Sequence, residues 1–216
     1  MFFIGFDFID INKLFILTLN TFLLAIFSVF LSFLFALPSA YLFSFKTSIS
    51  RYMIIILLFC ISIIPPFLLS IIFSNLFFFL NIDNGFISLG FSHMIVIFPY
   101  TLVFMVLGFS YVPKSARYTA KLYATNFVKG FIMFYFPFMK SSFLIAFILG
   151  ITISMSQYII TLMLSKPSFS TLMIQIIPYL KSADLKSANS YGIVFVINSA
   201  LVIYLIYKTF IFHIFT

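Results

Sequence analysis

Long apolar runs separated by short polar stretches set the pattern of this chain. The uninterrupted runs fall at 14–45, 53–80, 92–110, 138–164 and 191–207. A helix crosses a hydrocarbon core roughly 30 Å thick with about 20 apolar residues. The pattern therefore predicts an all-α integral membrane protein, a single domain over 1–216 with about five transmembrane helices. Within the second run Pro65 and Pro66 remove backbone donors, which is tolerated at membrane depth only against protein or a wet cavity. A structural kink packed on neighbouring helices is expected there. The segment Ser168–Tyr179, bracketed by Pro167 and Pro178, is too short and interrupted to span, and predicts a surface helix or a re-entrant piece.

Between the third and fourth runs lies YVPKSARYTAKLYATNFVKGFIMFYFPFMKS, residues 111–141, with Lys114, Arg117, Lys121, Lys129 and Lys140 and no acid. Leu122, Tyr123, Phe127, Val128, Phe131 and Ile132 recur at helical spacing between the lysines. Two amphipathic helices are expected, near Ser115–Ala124 and Phe127–Phe134, with a protruding turn at Thr125-Asn126 and Pro137 ending the second. Such a loop serves equally as a basic anchor on anionic membrane lipid or as a docking element for another protein.

Charge orients the chain. Alternating the runs places Lys46, Arg51, Lys114, Arg117, Lys121, Lys129, Lys140 and Lys208 on one side with no acid, and Lys13, Lys166, Lys181 and Lys186 on the other with Asp7, Asp10, Asp83 and Asp184. Positive loops are retained in the cytoplasm, so the N-terminus is expected outside and the C-terminus inside. The net charge of +8 on a chain with only 7% charged residues is explained by the same rule. No nucleic-acid partner is expected.

The remaining composition narrows the chemistry. Cys60 is the single cysteine, which excludes an intrachain disulfide or a cysteine metal cluster. His93, at the edge of a run, and His213 have no nearby acids, so no metal site, catalytic residue or cofactor is expected. The spans contain no deep acid of the kind that couples protons or sodium to transport, and the chain lacks the glycine-rich P-loop for nucleotide. Ser154, Gln157, Tyr158 and Thr161 recur at three, one and three, sharing one face of the fourth span. They read as a strip lining a pathway, with Gln157 the foremost lining residue, or as interhelical hydrogen-bonding groups. Asn20, Asn75 and Asn198 read as packing residues.

The 111–137 segment resembles the cytoplasmic coupling loop of permease subunits in binding-protein-dependent ABC importers. That family carries the EAA motif: Glu-Ala-Ala, three residues, Gly, nine residues, Ile, one residue, Leu-Pro, often with a proline five before the Glu. Anchored on Pro137, the motif puts Tyr118 at the Glu, Thr119 and Ala120 at the alanines, Ala124 at the glycine, Phe134 at the isoleucine and Phe136 at the leucine, with Pro113 upstream. Other features match in order over residues 15–210. LTLNTFLLAIFSVFLSFLFALPSAYLFS is similar to the family's first core span, LLFCISIIPPFLLSIIFSNLF to its proline-pair span, FPYTLVFMVLGFSYVPKSA to the span entering the loop, and GITISMSQYIITLMLSKPSFSTLMIQI to the following one. The last stretch is most similar to the thiamine, iron(III) and polyamine importer group.

The resemblance implies half of a solute pathway in a bacterial inner membrane, completed by a second permease half, the same or different. It further implies cytoplasmic ABC ATPase subunits docked on 113–137, where Thr125 and Asn126 form the tip, and an extracytoplasmic solute-binding protein. ATP hydrolysis then belongs to the partner, and this chain is not itself an enzyme. Tyr118 lacks the charge of the family's Glu, and Ala124 lacks the positive-φ freedom of its Gly, so coupling through this loop is expected to be altered. A membrane scaffold or assembly factor with a basic lipid- or partner-binding loop is the alternative.

Overall fold

The computed structural model describes residues 11–44, 56, 58–82, 85–124, 126–165, 169–182 and 184–215. Of the expected features, Thr125, Pro167, Ser168 and most of 53–57 lie outside the described residues, as do Lys46, Arg51 and Asp83. Every described element is helical: α1 Ile11–Ser44, α2 Pro66–Phe79, α3 Gly85–Tyr111, α4 Lys114–Tyr123, α5 Phe127–Gly130, α6 Phe136–Ser156, α7 Ile159–Leu164, α8 Leu172–Lys181 and α9 Leu185–Phe215. Among the described residues, four helical stretches are long and apolar enough to cross a membrane: Ile11–Ser44, Gly85–Tyr111, Val128–Ser156 and Leu185–Lys208. The protein is thus an all-α membrane protein.

The second apolar run differs from a single kinked helix. Helical residues 58–63 stop before Pro65, whose extended backbone (φ −54°, ψ 135°) caps α2, and Pro66 opens that helix. Proline fits the first turn because the N–H it lacks has no intrahelical partner there. The pair ends one helical stretch and begins another, and the 14 residues of α2 fall short of a crossing on their own.

Neighbouring contacts fix the directions. Phe27 stacks on Phe86 with ring centroids 5.2 Å apart, Ser32 Oγ meets Thr101 Oγ1 at 2.6 Å, and Tyr41 meets Phe109 edge-on at 5.7 Å. Position rises along both helices together, so α1 and α3 run parallel. Against them α6 is antiparallel, with Tyr135 beside Tyr41 and Phe143 on Phe33 at 6.0 and 4.4 Å between ring centroids. The Ser44 end of α1 therefore also carries α4 and α5, with Lys114, Arg117, Lys121 and Lys129. Around Leu17, near the other end of α1, gather Leu172, Ile176 and Tyr191 of α8 and α9.

Small side chains let α1 approach so closely. Its buried face carries Thr21, Ala25, Ser28, Ser32, Ala36 and Ala40 at spacings of three and four that make one stripe, with Leu17, Leu24, Val29 and Phe33 buried beside them. Small residues on such a stripe drive association in lipid, where the solvent is as apolar as the side chains. Gly150 of α6 completes the contact: a Cβ there would stand 2.9 Å from Val29 Cγ2 and 3.2 Å from Ile97 Cγ2.

The short segment before α9 forms a helix, α8, of 10 residues, below the length of a crossing. Leu172 N–H donates to Thr21 Oγ1 at 3.0 Å and Asn20 Nδ2 to Ser170 O at 3.1 Å, tying the start of α8 to α1. Asp184 then caps α9, accepting from Ser187 Oγ at 2.7 Å and from Ser187 N–H at 3.3 Å, and these bonds hold its carboxyl below the usual carboxylate range.

Gly150→Leu should lower the detergent-solubilised melting temperature, because forcing side-chain atoms between α1 and α3 costs about 1–3 kcal/mol. Gly192→Ala, where an added Cβ meets nothing within 4 Å, should be neutral or slightly stabilising, since alanine is the better helix former by about 1 kcal/mol. Size-exclusion profiles after a temperature ramp measure both.

Candidate functional site

At the basic end, α3 stops and the chain turns back through Val112-Pro113. Arg117 fastens that turn, Nε donating to Val112 O at 2.9 Å and Nη2 to Phe109 O at 3.1 Å. Carbonyls at a helix C-terminus have no intrahelical donor, and a cation there also meets the negative end of the dipole. Pro113, in extended conformation, caps α4, and Ala120 seats that helix on the bundle with only 6% of its surface exposed. Ala124 is half-buried, and a Cβ on Gly130 would stand 2.9 Å from the Ala124 Cβ, so α4 and α5 meet at close quarters. Asn126 is exposed and its Oδ1 accepts from Lys129 N–H at 2.8 Å, a side-chain cap that starts α5.

The outer face of α4 carries large apolar side chains beside exposed Lys114, Ser115 and Lys121. Leu122 is 79% exposed, and Tyr118 and Tyr123 stand out beside it; Val128, Ile132 and Met133 are likewise exposed beyond the turn. Thr119 is half-buried and bonds back to Ser115 O at 2.9 Å. The helix thus turns Ala120 inward and Tyr118 outward, among the positions aligned with the EAA motif.

Pro137 does not end the second loop helix. After α5 the chain makes a π-helical turn, Phe131–Tyr135, and passes without interruption into α6, with Pro137 in the first turn of that helix. Proline belongs there for the reason it belongs at the start of α2. Tyr135, Tyr41 and Phe109 lock this junction to the bundle as a triangle of rings, with centroids 5.7 to 6.0 Å apart.

A second constellation lies inside the bundle. His93, expected at a membrane edge, is 1% exposed and bridges two residues of the polar strip: Nδ1 lies 2.9 Å from Ser154 Oγ and Nε2 3.0 Å from Thr161 Oγ1. Thr161 directs its one hydroxyl proton to Gln157 O at 2.5 Å. Hydrogen-bond accounting then assigns Nε2–H as donor to Thr161, and Nδ1 as acceptor from the Ser154 hydroxyl. A neutral ring satisfies every group.

The bridge spans a break. The fourth run is not one helix, because α6 ends at Ser156, Gln157 is extended (φ −72°, ψ 105°), and α7 restarts at Ile159. The spacing of three, one and three consequently does not describe one helical face. Ser154 and Thr161 are brought together on His93, while Gln157 and Tyr158 sit half-buried at the interruption. Freed backbone groups at such a point need partners, and Thr161 supplies one to Gln157 O. The sequence marks the break with neither glycine nor proline, and a lone histidine in an apolar run gives no sign of its partners.

His93→Leu should lower the melting temperature by the equivalent of about 1–3 kcal/mol, the usual loss when buried hydrogen-bond partners are left unpaired. Once His93 is gone, Ser154→Ala should cost less than it does alone, and the double-mutant cycle measures that coupling. No family model matches the chain, and none of the curated proteins matches it.

Proposed function

We propose that this chain is the membrane-spanning subunit of an ATP-driven importer, forming half of a solute pathway. It meets a cytoplasmic ATPase through α4 and the turn at Asn126. The observation that carries the reading is the set of large apolar side chains on the outer face of α4, with Leu122, Tyr118 and Tyr123 exposed at the basic end while Ala120 holds the helix to its own bundle. Such a helix, rigidly mounted and carrying large apolar side chains on its far side, suits insertion into a groove on another protein. The ordered resemblance to ABC permeases over residues 15–210 supports the same assignment.

In this mechanism ATP binding closes the ATPases and moves the docked α4. Motion passes through the π-helical turn into α6, and the interruption at Gln157-Tyr158 is where the pathway opens and shuts. A second permease half, identical or different, completes the route, and a solute-binding protein delivers cargo at the end carrying α8. The basic end faces the cytoplasm of a bacterial cell under the positive-inside rule.

Leu122→Asp should abolish copurification with the cognate ATPase, because an unpaired charge is costly to bury in an apolar groove. Lys129→Ala should leave at least half of the ATPase bound. Loss in the lysine variant with retention in Leu122→Asp would overturn docking in favour of a lipid-held scaffold. Ala120→Asp is unsuited to this test, since it would unseat α4 from its own bundle.

Topology is checked separately. In a Cys60→Ala background, a cysteine replacing Asn126 should react with impermeant maleimide only from the cytoplasmic side, and one replacing Ser182 only from outside. Labelling of both from one side would refute the orientation.

A further inference from the structure

Between the end of α1 and the inner edge of α4 lies a cavity of about 410 Å³, lined by Tyr41, Leu42, Lys114, Arg117, Tyr118, Lys121 and Tyr135. We propose that it is a binding site for a phosphate ester, occupied by the headgroup of an anionic phospholipid.

Three cations converge on the cavity from one helix. Lys114, Arg117 and Lys121 stand at i, i+3 and i+7, the spacing that aligns side chains on a single face. Arg117 is the fixed member, oriented by its bonds to the carbonyls of Val112 and Phe109. The lysines on either side are exposed and can swing to meet a ligand. Among the described residues the one carboxylate is Asp184, which belongs to the α8–α9 corner beyond the other end of α1. Tyr41 and Tyr135 line the cavity as well, and Tyr135 is buried.

Shape and position select the class of ligand. The volume falls within the range of small-molecule sites, about 300–1,000 Å³, and exceeds what one inorganic phosphate fills. Leu42, 60% exposed, stands on its wall at the end of a membrane-crossing helix. A phosphodiester whose tail continues along the apolar surface of α1 meets both requirements together. Two lysines and an arginine favour a phosphate over a carboxylate or a neutral headgroup, since the anion accepts several charge-assisted hydrogen bonds at once. The site shares Tyr41, Lys121 and Tyr135 with a smaller hollow of about 250 Å³ that runs to Ala124 and Asn126, so a bound headgroup reaches the region behind the turn. The cavity shares Tyr118 with the outward face of α4, but its test involves neither an ATPase nor a solute and so can fail or succeed apart from the importer reading.

The full chain would be purified in detergent, reconstituted into nanodiscs of phosphatidylcholine with 20 mol% phosphatidylglycerol, and re-extracted. Lipid retained per protein would then be counted by native mass spectrometry. We expect preferential retention of phosphatidylglycerol. The double variant Lys114→Gln/Lys121→Gln should lower its occupancy about tenfold or more, two lysine contributions of the size met at anionic surfaces. The charge-matched control Lys129→Gln/Lys140→Gln should change occupancy less than twofold. Equal loss in both double variants, or no preference for phosphatidylglycerol in the parent, would overturn the site. A competition arm with inorganic phosphate and glycerol 3-phosphate separates the sources. Displacement of the lipid only at concentrations far above its own supports the phospholipid, whereas tight binding of either soluble anion in place of lipid overturns that occupant. Retained melting temperature in the lysine variants, which touch no packing contact of the core, separates loss of ligand from loss of fold.

Discussion

Close approach of α1 to α3 and α6 is the condition on which the rest of the bundle depends. In lipid, apolar side chains gain nothing by leaving their solvent, so helices associate through dispersion contacts and hydrogen bonds that operate only at short range. The stripe Ala25, Ser28, Ser32, Ala36 and Ala40 keeps the surface of α1 low, Gly150 removes the last obstruction, and the bond between Ser32 and Thr101 falls within that narrow gap. Bulkier side chains on this stripe would separate the helices and lose all three together. With the seam in place, the rings of Tyr41, Phe109 and Tyr135 close over one end, and the basic helix rests on them.

The features legible in the sequence were those carried by apolar length. Residues 14–44 of the first run lie within α1 and the run at 92–110 within α3, allowing for three leading residues in one case and a glycine- and serine-containing first two turns in the other. The short segment before α9 was legible as too short to cross, although Pro178 lies inside α8 and does not bound it. Hidden from the same reading were the interruptions. Gln157 and Tyr158 carry no helix-breaking signal, and His93, more than sixty positions earlier in the chain, bonds the side chains of Ser154 and Thr161 on either side of the break. Pro65-Pro66 did signal a disturbance, but whether a pair bends one helix or separates two depends on what packs around it.

At the basic loop, periodicity located two helices and missed their phase. Aligning positions by a motif treats Tyr118, Ala120 and Ala124 as one surface, whereas rotation along α4 divides them between solvent and bundle. Leu122, which stands outside the motif, occupies the outermost position. The charges divide in the same way: Lys114, Arg117 and Lys121 turn towards α1, and Lys129 sits past the turn, so a loop that is uniformly basic in composition is two-sided in space.

The π-helical turn Phe131–Tyr135 has a consequence for the evolution of this loop. Its bonds reach five residues back where an α-helix reaches four, so it holds one residue beyond what a regular helix of the same hydrogen-bonding would contain. Deleting any one residue within it would regularise the helix and rotate everything before it by about 100°, the angle per residue of an α-helix. Ala124, Asn126 and Gly130 would turn together relative to α6, and the tip at Asn126 would point a quarter-turn or more away from its present direction. The single extra residue therefore acts as an indexing tooth between the membrane helix and the loop tip, and sequences that share this architecture are constrained in insertion and deletion here more tightly than in residue identity.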